Sequence, residues 1–192
     1  RTHWDFRWIL DYSGGQVTDW GAHHIDIAHW GLGLEETGPI EVWGEGDFPD
    51  DGLFDAATNF DFFAKYRTGV LIRVTNAVQN GVKWEGEDGW IFVSRGRLEA
   101  SDPAILRDRL RPNEINLPRP SSHRREFIEC MRSRGATIAP IEHAHRTITV
   151  AHLGNSAMML GRKVKWNPDT ERVDGDTTAE RMCGRAMRAG WE

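Results

Sequence analysis

Two cysteines in 192 residues, Cys130 and Cys183, are too few and too far apart for a disulfide-scaffolded fold or for a CxxC zinc or redox motif. They leave the cellular compartment open. No apolar run approaches the roughly 18 residues that a membrane-spanning helix needs, so no membrane partner is expected. Basic residues are outnumbered, 24 Lys plus Arg against 29 Asp plus Glu for a net charge of −5. The field of the whole chain therefore disfavours a phosphate backbone, and no nucleic-acid partner is expected. Internal repeats and low-complexity tracts are missing as well. The opening RTHWDFRW has neither Met nor a charged-then-apolar leader. The expectation is one domain over residues 1–192 whose parent carries a further segment upstream. What the chain does have is apolar and aromatic material, 39% hydrophobic with nine tryptophans, which excludes a disordered polymer.

Residues 12–33, YSGGQVTDWGAHHIDIAHWGLG, open on a glycine pair and close on Gly31 and Gly33. This predicts a turn and then one helix from about Val17 to about Leu32. At about 100° per residue, Asp19, His23, Asp26 and Trp30 share a polar face with an aromatic floor, while His24 and His29 project elsewhere. From Pro39 the pattern changes to alternation. PIEVWGEG, NFDFFAKY, VLIRVTNAV, VKWEG and GWIFVSRG read as strands of an antiparallel meander joined by glycine-bearing turns. In NFDFFAKY one face carries Phe60, Phe62 and Tyr66, and the other Asn59, Asp61 and Lys65 with Phe63 among them. Such a partly apolar outer face invites a partner subunit. Further on, Ser121 or Ser122 can cap a helix that Gly135 ends, and a longer helix runs to Gly161. A short VKW strand and a last helix leading to Trp191 complete an α+β chain.

Asp19 and His23 are the sharpest chemical pair. An acid one helical turn before a histidine can orient the imidazole or share its proton, and histidine titrates near neutrality. That suits proton transfer to or from a hydroxyl. The competing reading is a capping Asp19 beside a surface histidine. Of the tryptophans, Trp20 and Trp30 share the segment with this pair and are the candidates to stack on a ligand. A metal built from His23 with Glu142, His145, Thr149 and His152 is a weaker alternative, because nothing here resembles HExxH or a Cys/His zinc signature. No metal ligands are assigned. A dinucleotide cradle is not evident, since Gly44-Glu45-Gly46 lacks the third glycine and Gly14-Gly15 lacks the preceding strand.

The run GGQVTDWGAHHIDIAHW, the GWIFVSRG hairpin and the stretch from SSHRREFIECMRSRG to EHAHRTITVAHLGNSAMMLGRKVKWNP together resemble the C-terminal domain of the Gfo/Idh/MocA family. The family's members are NAD(P)-dependent oxidoreductases acting on sugars, sugar acids and cyclitols. The resemblance implies a mostly antiparallel open sheet with helices on one face and an oligomer interface on the other, in a homodimer or homotetramer. It implies that His23 and Asp19 are catalytic, with His23 exchanging the proton of a sugar or cyclitol hydroxyl. Trp20, Trp30, Asp26 and His24 are then assigned to substrate binding, Asp26 as a supporting group. NAD or NADP would serve the full-length parent, with none bound by this chain alone, because the glycine-rich loop and the lysine-bearing EKP-like motif are not in the sequence. A cytoplasmic address suits a nicotinamide enzyme, and a periplasmic one stays open. The alternatives from other classes are a redox-independent carbohydrate lyase, hydratase or hydrolase, metal-dependent or not, and a non-catalytic dimerisation module.

Overall fold

The first helical segment is not continuous. Gly15 adopts a left-handed φ of 68° and opens a single turn, α1 (Gly15–Thr18). The chain then breaks at Asp19 (φ −84°, ψ −88°) and restarts as α2 (Trp20–Leu32), which Gly33 closes in the left-handed conformation. The expected helix over 17–32 is corrected to this pair: residues 15–18 form a turn of their own, whose start is tied by one local bond and by one long-range bond from Asn155. Asn155 Nδ2 donates to the Gly14 carbonyl at 2.9 Å, and the Gly14 amide donates to Thr18 Oγ1 at 3.1 Å. A Cβ on Gly15 would sit 2.6 Å from the Ala56 methyl, so that glycine is required by both its φ and its neighbour.

The computed structural model describes residues 3–190 apart from 112, 116 and 186. Trp191, expected at the end of a C-terminal arm, lies outside the described residues. The chain divides into two compact units, Arg1–Asn80 with His145–Glu192, and Gly81–Ala144. In the first unit α1 and α2 are followed by β1 (Glu41–Asp47), β2 (Asn59–Lys65) and β3 (Leu71–Thr75). The second unit holds β4 (Val82–Glu85), β5 (Trp90–Ser94), β6 (Arg97–Ala100) and α3 (His123–Ser133). Helix α4 (Ile141–Leu160), β7 (Val164–Asn167), β8 (Arg172–Val173) and α5 (Thr177–Met182) complete the order.

The strands do not form one meander. The first unit contains a five-stranded sheet in the order β3-β2-β1-β7-β8, and the second a three-stranded sheet in the order β4-β5-β6. All pairings are antiparallel. The correction has a simple cause. Alternation assigns faces to a strand but not neighbours, and β1 finds its second partner, β7, more than a hundred residues later.

Within the larger sheet, Phe60, Phe62, Ala64 and Tyr66 point into the core. Helix α4 lies beneath them, with Val150, Ala151, Leu153, Ala157 and Met158 buried. The approach is close at Gly154, where a Cβ would meet three ring atoms of Phe62 at 2.5–2.7 Å. Substituting Gly154→Ala is therefore expected to lower stability by about 1–3 kcal/mol through overpacking, despite alanine's better helix propensity. A denaturant midpoint measured beside wild type checks this, and an unchanged or raised midpoint contradicts it.

The opposite face of the same sheet carries Trp43 stacked on Phe63 (centroids 5.7 Å apart, 16° between planes). Lys163 lies over Trp43 and Arg73 over Phe63. Arg73 also makes a two-pronged bond to Asp61, at 2.9 and 2.5 Å. The helices so far placed against the sheet share its other face, which makes it an open α+β layer. In the second unit, Ser122 caps α3 by accepting from the Arg125 amide, and Arg134 in the left-handed region ends it. Glu126 accepts from the Ile138 amide at 2.8 Å and from the Cys130 thiol at 3.2 Å. The latter bond, with burial, pushes the Cys130 thiol above its ordinary range.

Candidate active site

The break at Asp19 decides what its carboxylate can do. Asp19 stands at the N-cap position of α2, where an aspartate ordinarily accepts from the first free amides, yet its side chain makes no capping bond. The carboxylate instead pairs with Arg7, Nε to Oδ2 at 3.2 Å. Arg7 rides on the 3₁₀ turn Asp5–Trp8, which Trp4 precedes as its N-cap residue. Its guanidinium lies 4.2 Å from the Trp4 ring centroid and 5.9 Å from that of Trp8. Its Nη1 donates to the Trp4 carbonyl at 3.1 Å. The side chains are about 20% (Arg7) and 33% (Asp19) exposed, so this pair is fixed by neighbours yet reachable by a solute.

His23 follows one turn into α2 and is exposed. The Trp20 indole sits edge-on to it at 6.1 Å between centroids, and the same indole meets His24 at 5.8 Å. Among the described residues no hydrogen bond or ion pair joins Asp19 to His23. Asp26 is half-buried and turned toward α4, accepting from Thr147 Oγ1 at 3.2 Å. Trp30 is half-buried on the same helix. The structure thus gathers Arg7, Asp19, Trp20, His23 and His24 at the start of α2 and uses Asp26 to tie that helix to α4.

His29, set aside by the helical-face reading, is fully buried. It follows Ile25 and Ala28 on the inward stripe of α2, and that i, i+3, i+4 spacing was the available signal. Its Nε2 lies 2.6 Å from Tyr66 Oη, on the sheet. Burial lowers the His29 pKa from 6.5 to about 4, partly opposed by the Glu35 carboxylate, and burial raises the Tyr66 phenol. The ring is therefore neutral at pH 7. If Tyr66 donates to Nε2, the ring proton sits on Nδ1 and one group goes unpaired among the described residues. The reverse tautomer leaves two.

An open cleft of about 660 Å³ also lies in the first unit, with Thr149, His152, Asn155, Ser156, Trp166 and Cys183 in its lining. Neither Asp19 nor His23 lines it. In the helical stripe considered for a metal, His145 bonds Glu171 at 2.7 Å, and Arg146 pairs with the same carboxylate. Among the described residues no three His, Cys, Asp or Glu side chains converge to hold a metal ion.

Neither glycine segment offers a dinucleotide cradle. Gly44-Glu45-Gly46 lies inside β1, where a Cβ on Gly44 would sit 2.4 Å from the β2 backbone, so this glycine serves strand approach. Gly14 is already bonded through both its amide and its carbonyl.

A family model described as "Oxidoreductase family, C-terminal alpha/beta domain" matches residues 1–192. No curated protein matches the sequence. Among solved structures, the WlbA dehydrogenase from Bordetella pertussis, in complex with NADH and UDP-GlcNAcA, is 14% identical. It aligns over 84% of this chain and 48% of its own, with a TM-score of 0.58. The aldose-aldose oxidoreductase from Caulobacter crescentus, complexed with glycerol, is 17% identical over 85% of this chain and 51% of its own, with a TM-score of 0.56. An NAD-binding protein from Listeria innocua is 16% identical over 86% and 55%, also with a TM-score of 0.56. The superpositions show a shared fold and, at these identities, the fold alone, and the chain spans about half the length of these relatives.

Proposed function

Because the chain belongs to the Gfo/Idh/MocA oxidoreductase family as its C-terminal α/β domain, we propose that it is the substrate-binding and proton-transferring part of a sugar or cyclitol dehydrogenase. The observation that carries the reading is the Asp19 carboxylate, freed from helix capping and held at the head of the helix that exposes His23 one turn later. Removing a hydride from an alcohol carbon requires the hydroxyl proton to leave as well. A neutral His23 takes that proton in oxidation, and its imidazolium returns it in reduction. Asp19 holds a neighbouring hydroxyl, and the indole of Trp20 steers the imidazole while offering a face to the sugar. Trp30 and His24 flank the same helix as further substrate contacts. Asp26 acts through Thr147 by fixing the helix that carries His23.

NAD or NADP belongs to the parent polypeptide, at residues other than those described here, and the chemistry this chain supplies is binding and proton transfer. The NADH held by the WlbA dehydrogenase, and the description of the Listeria innocua relative as NAD-binding, support that assignment. A second copy is proposed to cover the sheet face carrying Trp43 and Phe63, whose stacked rings are half-buried in the single chain. The test of the function is nicotinamide reduction by the purified parent against a panel of aldoses, sugar acids and cyclitols. Turnover with at least one of them is expected. Sugar converted by elimination or hydrolysis, with neither the nicotinamide nor a second sugar reduced, overturns the redox reading in favour of lyase or hydrolase chemistry.

A further inference from the structure

Arg7 was no part of the sequence motif, yet it is the residue that engages Asp19. Its placement has several supports: the Trp4 ring lies 4.2 Å and the Trp8 ring 5.9 Å from the guanidinium, one N–H is donated to the Trp4 carbonyl, and Nε faces the carboxylate. Nη2 has no hydrogen-bond partner among the described residues. Such a fork, half used and half available, sits beside the carboxylate of Asp19, whose side chain is about 33% exposed. Adjacent donors and acceptors on one rigid pair match two neighbouring hydroxyls, one accepting from arginine and the other donating to aspartate. A carboxylate ligand fits this pair less well, because the charge of Arg7 is already opposed by Asp19 and an added anion would face the same aspartate.

We propose that Arg7 is a specificity-determining residue that, with Asp19, reads a vicinal diol on a neutral sugar or cyclitol next to the hydroxyl whose proton His23 takes. The inference rests on the proposed function and sharpens its substrate class from sugars, sugar acids and cyclitols to neutral vicinal diols. Trp4, largely exposed, and Trp8 give the guanidinium its orientation before any ligand arrives. That preorganisation lets a hydrogen-bonding site discriminate against an analogue lacking one hydroxyl.

The experiment uses the parent polypeptide with its nicotinamide and compares wild type, Arg7→Met, Arg7→Lys and His23→Ala. Each is assayed on a neutral diol substrate, its monodeoxy analogue and the corresponding uronate. For Arg7→Met, kcat/KM on the diol should fall roughly 10- to 100-fold, while the monodeoxy analogue changes little. The ratio between the two substrates therefore collapses. Arg7→Lys keeps a cation beside Asp19 but lacks the fork, and should also lose the ratio with an unchanged melting temperature. An equal fold-loss on all three substrates would assign Arg7 a merely structural role and overturn the inference. A selective loss on the uronate would overturn it too, in favour of carboxylate recognition. His23→Ala separates the two layers: full activity in that variant sinks the proposed function itself, whereas a lost His23→Ala activity with an unchanged Arg7 ratio sinks only the role of Arg7.

Discussion

Replacing His23 by alanine in the parent enzyme is expected to lower kcat by roughly 10² to 10⁴, the range for removing a positioned general acid or base. Stability should barely move, because the side chain is exposed and its contact in the fold is with the edge of the Trp20 indole. That separation of activity from stability is the value of the position. The loss should appear in kcat and kcat/KM together, with KM changing less, because the proton is transferred in the transition state rather than in the ground state. Added imidazole should restore part of the rate in proportion to its concentration. Steady-state kinetics alongside thermal melting check both halves. Wild-type turnover removes His23 from the chemistry, and a collapse of the melting temperature reassigns it to the fold.

The second large effect belongs to His29 and is one of stability. Truncation to alanine opens a cavity beneath the sheet and leaves the Tyr66 hydroxyl buried without its partner, for a loss of about 2–4 kcal/mol. The same residue makes the fold acid-sensitive. Its folded pKa, about 4, lies below the ordinary 6.5, so the native state prefers the neutral ring. Above pH 6.5 both folded and unfolded chains carry neutral His29, and its contribution to stability is complete. Between 6.5 and 4 the unfolded chain binds a proton that the native one refuses, so stability falls with pH across that window. At about 1.4 kcal/mol per pH unit the loss approaches about 3 kcal/mol. Urea titrations at pH 7, 5.5 and 4.5 should show it, and the double replacement His29→Leu with Tyr66→Phe should flatten this component of the slope. A slope that survives in the double variant assigns the acid sensitivity to other groups.

These two histidines also show what could be read from the sequence. The alternation in residues 59–66 correctly separated Phe60, Phe62 and Tyr66 from Asn59, Asp61 and Lys65, because a half-buried strand writes its faces at period two. Ser121 or Ser122 and Gly161 marked helix ends, and Ser122 is the one that caps, because capping and left-handed termination have strong residue preferences. The break at Asp19 was not legible. The turn before it is contacted from afar, by Asn155 on α4 more than a hundred residues away and by Ala56 against Gly15. Sheet partners were hidden for the same reason. Arg7 carried no periodic signal at all, and its meaning appears only when the 3₁₀ turn brings it against Asp19. His29 is legible in principle, since its spacing from Ile25 and Ala28 is that of a buried stripe. The family motif directed the reading to Asp19 and His23, and the local geometry explains why that aspartate is available.

The most direct test of the account is an isotope experiment on the parent polypeptide, using a neutral diol sugar carrying deuterium at the reacting carbon. The account predicts deuterium in the reduced nicotinamide, a slower rate for the labelled sugar, and loss of most of this transfer in the His23→Ala variant. Sugar converted with the deuterium retained, or released to water without reaching the nicotinamide, would contradict it, as would undiminished transfer in the absence of the His23 imidazole.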